Sequence, residues 1–576
     1  MGLVGSALTA GRNALLAYQG ALQVVGNNVA NSGNPDHTRQ TVDLTALPGG
    51  QVGAGLRPGA GVALTAIRRN VDEALENRLR TATGEVELNA ATRSALSQIE
   101  VFFDDLTGAG ISQKLVGFFN ALSDVQNAPQ DLAIRQVAVA TGDALASSLS
   151  SARKSLGEVG SRLNDQIKER VADANDLAGR VAELNRQIVR AEAGGTSQSG
   201  PLRDQRDALL RQLSQLLDIQ TREQPDGSVI VYAQSEPLIQ FGFSRGLTTE
   251  DIADGAFVRT SVLFADSNTT LSDPGGAIGG LIRARDTQAL DRIAAVDQLA
   301  AGIINEVNAV HADGQGLTPL RAVTATSAVA DSTAPLSSSD AALRITPTNG
   351  SFFITVTDDA TGSSVSQRIE VDLDGVAPDT SLDDVISQIN TNLTGVTATL
   401  TPDNRLSLVA DTGFSFTFGH DGDQFREDTS GLLAALGINT FFEGSTAGNI
   451  RVRQDLVADP GLLAAAAINR TGDGTNAGRI GGLINLSSDA LGGASILEFY
   501  NGVANGVAAD GAAAQNNLEA VQAVQSALEQ KRQSISGVSL DEEAIQLLKF
   551  QRAFQGAARY VSVVDQLMQE MLTLVR

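Results

Sequence analysis

Apolar residues recur near the start of the chain at alternating intervals of four and three: Val4, Leu8, Gly11, Leu15, Tyr18, Leu22, Val25 and Val29. This is a heptad seam along one face of a helix, with Gly11 its one weak position. The run NNVANSGNPDHTRQ at 27–40 then sets Asn31, Gly33 and Pro35 where a helix stops and cannot resume. A second seam closes the chain, through Leu547, Phe550, Phe554, Ala557, Val561, Val564, Met568, Met571 and Val575. Ser539 with Glu542 predicts a capping box ahead of it. The final helix should hold about 35 residues and measure roughly 50 Å at about 1.5 Å per residue.

Helical patterning also fills the stretches next to the two ends. Asn70 and Glu73 are placed to cap a helix carrying Leu75, Leu79, Ala82 and Val86 on one face. A long helix follows with Leu163, Ile167, Ala174, Leu177, Val181, Leu184, Ile188 and Ala191 in register, broken only by Arg170. GGTSQSGP at 194–201 ends it, and Leu209, Leu210, Leu213, Leu216 and Leu217 define the next. The period then changes to two. PDGSVIVY at 225–232, and SFFITVTDD and SQRIEVDLDG within 351–375, predict strands joined by polar turns. Helix returns in NNLEAVQAVQSALEQKRQSI at 516–535.

The pattern predicts a multidomain α+β protein. Residues 1–70 and 541–576 should form a coiled-coil-like inner domain of terminal helices. Residues 71–320 and 460–540 should form a mainly helical rod or bundle built from both halves of the chain, and 321–459 a β-rich outer insertion. Seams this regular on isolated helices need a partner. We expect them to be unpartnered and mobile in the single chain, and to order on assembly.

Charge sharpens the division. The net charge is −24, and residues 321–460 hold nineteen acids against seven bases, whereas residues 1–30 carry only Arg12. An acidic insert of this kind should face solvent. The balance argues against a nucleic-acid partner, which wants a basic face. No window has the roughly 18 apolar residues of a membrane helix, so no membrane insertion is expected. The start has no secretory-signal pattern, so any export should use an uncleaved signal of another kind. With no Cys, disulfides and thiolate metal sites are impossible.

Neither a P-loop nor an H-E-x-x-H motif occurs in the chain. His37, His311 and His420 are far apart, which predicts surface or capping roles. GAGLRPG at 53–59 and GDGTNAG at 472–478 read as turns. EVDLDG at 370–375 imitates a calcium loop but has Ser381 where the bidentate Glu belongs. The acid groups Asp104 with Asp105, and Asp541 with Glu542 and Glu543, read as a solvated face and as helix N-terminal charge. No catalytic residue, metal ligand or cofactor is expected, and the protein reads as a non-enzyme.

NNVANSGNPDHTRQ resembles the N-terminal signature of the flagellar rod and hook axial proteins, through Asn27, Asn28, Ala30, Asn31, Pro35, Arg39 and Gln40. Its turn reads Asn34-Pro35-Asp36-His37 where the family has a Thr-Pro-Gly-Tyr-like sequence. GVSLDEEAIQLLKFQRAFQGAARYV at 537–561, with Asp541, Glu542 and Glu543, is similar to the C-terminal signature. Four further stretches resemble the hook-associated members: FFNALSDVQNAP at 118–129, LRDQRDALLRQLS at 202–214, INEVNAVHADG at 304–314 and LGINTFFEGS at 436–445. The resemblance implies an extracellular structural protein of the bacterial flagellum, delivered by flagellar type III export with a chaperone and without a cleaved signal peptide. It implies terminal helices lining an inner tube. The implied partners are copies of itself in a ring, the flagellar hook protein, a second junction protein and the filament subunits. Two alternatives stay open: the hook or another axial protein, and a secreted binding module or adhesin on a helical stalk.

Overall fold

The computed structural model describes residues 2–49, 59–103, 110–193, 199–255, 257–376, 378–468 and 470–574. Val575, Asp104, Asp105 and most of the two glycine-rich stretches near 53 and 194 lie outside them. The chain forms two compact units. One joins Met1–Ala95, Ser161–Arg285 and Ala512–Arg576; the other joins Leu96–Gly160 and Asp286–Gly511.

In the first unit the opening seam is a helix, Gly2–Ala30, and the closing one a helix of 35 residues, Leu540–Leu574. Between the signature turn and the next helix runs an antiparallel hairpin of Gln40–Ala46 with Val62–Arg69. The helix that follows, Glu73–Glu100, is capped differently from expectation. Asp72 Oδ1 accepts the Ala74 and Leu75 N–H groups at 3.1 Å each, while Asn70 is drawn away to other partners.

The expected long helix extends over 61 residues, Leu132–Glu192. Its later half buries Leu163, Ile167, Val171, Ala174, Ala178, Val181 and Ile188. Three asparagines on that half grip strands. Asn185 Nδ2–H donates to the Val229 carbonyl at 2.8 Å and its Oδ1 accepts the Val229 N–H at 3.1 Å. Asn175 holds both backbone groups of Leu247 in the same way, at 2.8 and 2.7 Å. Asn164 donates to Val258 O and accepts from Thr260 N–H, at 2.6 and 3.1 Å. The strands so held are a four-stranded antiparallel meander, 219–244, and the hairpin Leu247–Asp254 with Phe257–Phe264.

The β-rich part of the second unit has two three-stranded antiparallel sheets. Ser364–Val371, Gly350–Asp358 and Phe414–Phe418 form one; Val396–Leu400, Leu406–Ala410 and Ala322–Thr324 form the other. Between them Phe352, Ile354, Phe416, Phe418, Leu382, Val385, Ile389, Leu406 and Leu408 make a dry core. The helix Leu382–Asn392 starts at Ser381, the residue that spoils the calcium pattern, which forms a capping box with Asp384. The same helix closes an edge strand of each sheet. Gln388 holds both backbone groups of Glu370 at 3.1 and 3.0 Å, and Asn390 those of Ala398 at 2.8 Å each.

Two of the quoted motifs meet in this unit. Asn308 Oδ1 accepts the Phe441 and Phe442 N–H groups and its Nδ2–H donates to Phe442 O at 2.9 Å. Phe118 packs against Phe119, Phe441 and Phe442, with ring centroids 5.1, 5.3 and 5.6 Å apart. The histidines are not surface groups, contrary to expectation. His311 is buried and bonded at both nitrogens, to the Asn439 carbonyl at 2.7 Å and the Ala464 N–H at 3.1 Å. Burial pushes its pKa down to about 4, so the ring is neutral. His420 is buried against Thr417 and Gly422, and His37 is largely buried beside Asp204.

Asn185→Ala would orphan two backbone groups in the interior, at about 1–3 kcal/mol each. Urea unfolding of the full chain should therefore show a loss of roughly 2–5 kcal/mol. Asp313 gives a pH signature. Its carboxylate is buried beside Asp428, whose N–H it accepts at 2.9 Å, and burial raises its pKa to about 7. The folded state thus holds the proton more tightly than the unfolded one. This contribution is full below about pH 4 and is lost as the pH rises to about 7. Relative to the parent, Asp313→Asn should gain about 1–3 kcal/mol in unfolding free energy between pH 5 and pH 7.5.

Candidate assembly interface of the terminal helices

The signature run ends the first helix and ties it to the last. Asn31 N–H bonds back to Asn27 O and Asn28 O, and the His37 N–H donates to Asn34 O at 3.1 Å, which makes Asn34-Pro35-Asp36-His37 a hydrogen-bonded turn. Asp36 N–H completes it on Asn34 Oδ1 at 3.0 Å. Asn27, Ala30 and Pro35 stay exposed and Asn31 half-buried.

Asn28 is 1% exposed and uses its whole amide. It donates to Gln40 O at 2.9 Å and to Glu543 Oε2 at 3.1 Å, and accepts the Gln40 N–H at 3.0 Å. Arg39 answers from the other side, with Nε donating to Glu543 Oε1 at 2.8 Å and Nη1 to Glu542 Oε2 at 2.5 Å. Glu543 is therefore buried and fully engaged, while Asp541 and Glu542 remain at the surface. The expected capping box is only half formed, because Ser539 Oγ accepts the Glu542 N–H at 3.5 Å but the Glu542 side chain goes to Arg39.

A second layer supports the first. Arg39 N–H and Asn70 Nδ2–H donate to the Ser536 and Ile535 carbonyls at 2.9 and 2.7 Å, satisfying the end of the helix Ile496–Ser536. Thr38 N–H donates to Asp204, and Arg69 lies between Asp204, at 2.9 Å, and Asp207. Burial works against the charge on Asp207, but Arg69 and Arg206 outweigh it and hold its carboxyl below the usual range. A polar cavity of about 220 Å³ opens beside the turn, lined by Asn31, Asn34, Pro35, His37, Arg532 and Ser536 among others. Arg69, Thr38, Asn70 and Asp204 carry no helical or strand periodicity. Only the quoted LRDQRD pointed to Asp204 and Asp207.

The two seams face each other within one chain, which corrects the expectation that they lack a partner. Ala21, Val25 and Phe550 are buried together, with Tyr18, Leu22, Val42 and Leu44 packed around them, and the Tyr18 and Phe550 rings are 6.5 Å apart. Val564 is buried as well, and Val4, Leu8, Leu15, Phe554, Ala557, Val561 and Met568 are half-buried. Gly11 makes room for the closing helix: a Cβ there would lie 2.5 Å from Val561 Cγ2. Gly61, at φ +93°, lets the hairpin approach equally near, since a Cβ would meet the Ala10 carbonyl at 2.5 Å. Heptad pairing thus spends the seams internally. Among the described residues, Val29, Leu547 and Met571 are the seam members left exposed.

A different apolar stripe faces outward. Ile545, Leu548, Tyr560, Val563 and Leu567 on the closing helix are between 47% and 65% exposed.

A family profile described as the flagellar hook-associated protein FlgK helical domain matches residues 96–320. Profiles for the flagellar basal body rod FlgEFG protein C-terminal region and the flagellin hook IN motif match 529–574 and 352–412. Flagellar hook-associated protein 1 of Escherichia coli is 26% identical over 97% of this chain and 98% of its own length. These matches make the chain similar to flagellar hook-associated protein 1. The Bacillus subtilis and Salmonella typhimurium members are each 29% identical, over 45% and 52% of this chain. The matched region spans about half of those two relatives, 52% and 55% of their lengths. The flagellar hook junction protein FlgK from Burkholderia pseudomallei shares the fold, with a TM-score of 0.53 at 18% identity over 80% of this chain and all of that one.

Removing one partner of a buried charge pair costs about 3–5 kcal/mol. Glu543→Ala should leave Arg39 Nε and one Asn28 amide hydrogen without their buried acceptor and free the helix ends. Limited proteolysis of the full chain is expected to cut within 1–30 and beyond 540 many times faster than in the parent, with the remainder resistant.

Proposed function

We propose that this chain is a structural component of the bacterial flagellum that assembles with copies of itself as the adaptor between hook and filament. The observation that carries the reading is the outward apolar stripe on a helix pair whose own seam is already satisfied. Each such residue gains about 1.5–3 kcal/mol when fully buried. Packing of neighbouring chains along the stripe can offset an association cost of about 4–15 kcal/mol.

In this reading the terminal segments 1–70 and 541–576 line the inner tube, and the β-rich, acidic stretch 321–459 points outward. Copies form a ring whose base meets the hook protein and whose top meets the second junction protein and filament subunits. Delivery is by flagellar export with a chaperone, to the cell exterior. The role is architectural, with no reaction to catalyse.

Electron microscopy of isolated flagella with antibody against this chain tests the proposal. Label confined to one band where hook meets filament is the expected result. Label spread over the cell surface, or along the whole filament, would reject the junction role in favour of a binding module or another axial position.

A further inference from the structure

The strand Glu236–Gln240 returns to Phe243–Ser244 through a turn in which Phe241 and Gly242 both have positive φ, +51° and +74°. Two successive left-handed residues make the type I′ hairpin turn, whose first position favours Asn, Asp or Gly. Phenylalanine is a poor choice there on local grounds. It is also 76% exposed, and Phe243 beside it is 69% exposed. Arg186 of the long helix fixes the turn through the Gly242 carbonyl, with its guanidinium 5.8 Å from the Phe243 ring centroid, and Arg190 lies one helical turn on. The result is a rigid aromatic knob flanked by arginines.

The same helix carries the opposite kind of surface. On the outer face of the hairpin Leu247–Asp254/Phe257–Phe264, Ile252 is 47% exposed and sits diagonal to half-buried Phe257, between Glu250 and Asp254. Asn164 anchors this hairpin and Arg186 the knob, on the same flank of the helix and about 33 Å apart at about 1.5 Å per residue.

We propose that the knob of Phe241 and Phe243 docks on the Ile252 hairpin of a second copy of this chain, a heterologous contact with the two copies displaced along the helix direction. Opposite charge favours the pairing: Arg186 and Arg190 against a single Glu183 on the knob side, and Glu250 and Asp254 against Arg259 on the Ile252 face of the hairpin. Because knob and socket are separate patches, the contact repeats from copy to copy. The inference rests on the self-assembly proposed above and names one interface within it.

The absence of native Cys gives a clean assay. Full chains with Phe243→Cys and with Ile252→Cys, bearing different tags, are produced in one cell, and isolated flagella are oxidised with copper phenanthroline. A mixed-tag disulfide dimer at least tenfold above either same-tag dimer is expected. In parallel, Phe241→Asn should leave the melting temperature unchanged or raised, because it suits the turn, yet lower incorporation into flagella at least tenfold. Mixed dimers absent although both chains incorporate, or Phe241→Asn incorporating normally, would overturn the contact and leave assembly standing. If the cysteine chains fail to incorporate, the Phe241→Asn result decides. Absence of the unsubstituted chain from flagella would remove both the contact and the assembly on which it rests.

Discussion

An asparagine side chain ends in the same donor and acceptor pair as a peptide group, and this chain uses that equivalence to hold several of its strands to helices. In an antiparallel ladder a residue exchanges both its N–H and its C=O with the residue opposite. Asn28 does this for Gln40, Asn175 for Leu247, Asn185 for Val229, Asn390 for Ala398 and Gln388 for Glu370. Asn308 does it for Phe442 and also takes the Phe441 N–H, while Asn164 spans the Val258 carbonyl and the Thr260 N–H. Each amide sits on a helix and pins a strand to it with directional bonds that apolar packing alone does not supply. Since an unmatched buried amide would cost more than it gains, each helix and strand can dock in only one register.

This explains why the recognisable motifs lie far apart and act in pairs. INEVNAVHADG brings Asn308 and His311, and LGINTFFEGS brings the Asn439, Phe441 and Phe442 backbone that they bind. LRDQRD supplies Asp204 and Asp207 to Arg69 and to the turn of NNVANSGNPDHTRQ. The closing signature supplies Glu543 to Asn28 and Arg39 of the opening one. Such motifs are the two halves of polar contacts, kept in step because neither half is satisfied by water once buried.

Periodicity made the helices and strands legible, down to the length of the closing helix, because core faces repeat at 3.6 or 2 residues. It could not show where a polar side chain finds its partner. Asparagine within a helix reads as a weak helix former, so the three along Leu132–Glu192 gave no signal beyond reduced propensity. Gly11 looked like a flaw in the seam until the Val561 side chain occupied the space that a Cβ would take. The same limit governed the histidines, whose burial follows from tertiary contacts with Asn439, Ala464 and Asp204 rather than from their neighbours in sequence. The two seams were each correct as helices, yet nothing in either one stated that its partner was the other.

That pairing leaves a problem which the signature residues resolve. Two apolar heptad seams can slide by one repeat, about 10 Å, and still bury similar surface. The Gly11–Val561 approach removes part of the freedom, since a larger residue brought opposite Val561 would clash. The cluster of Asn28, Arg39, Gln40 and Glu543 removes the rest, because any slip would bury a carboxylate and a guanidinium without partners. With the register fixed from within, the outward stripe through Tyr560, Val563 and Leu567 is presented in one arrangement. Apolar contact is non-directional and tolerates small changes of neighbour, so the precision of any assembly along that stripe has to come from the polar cluster behind it.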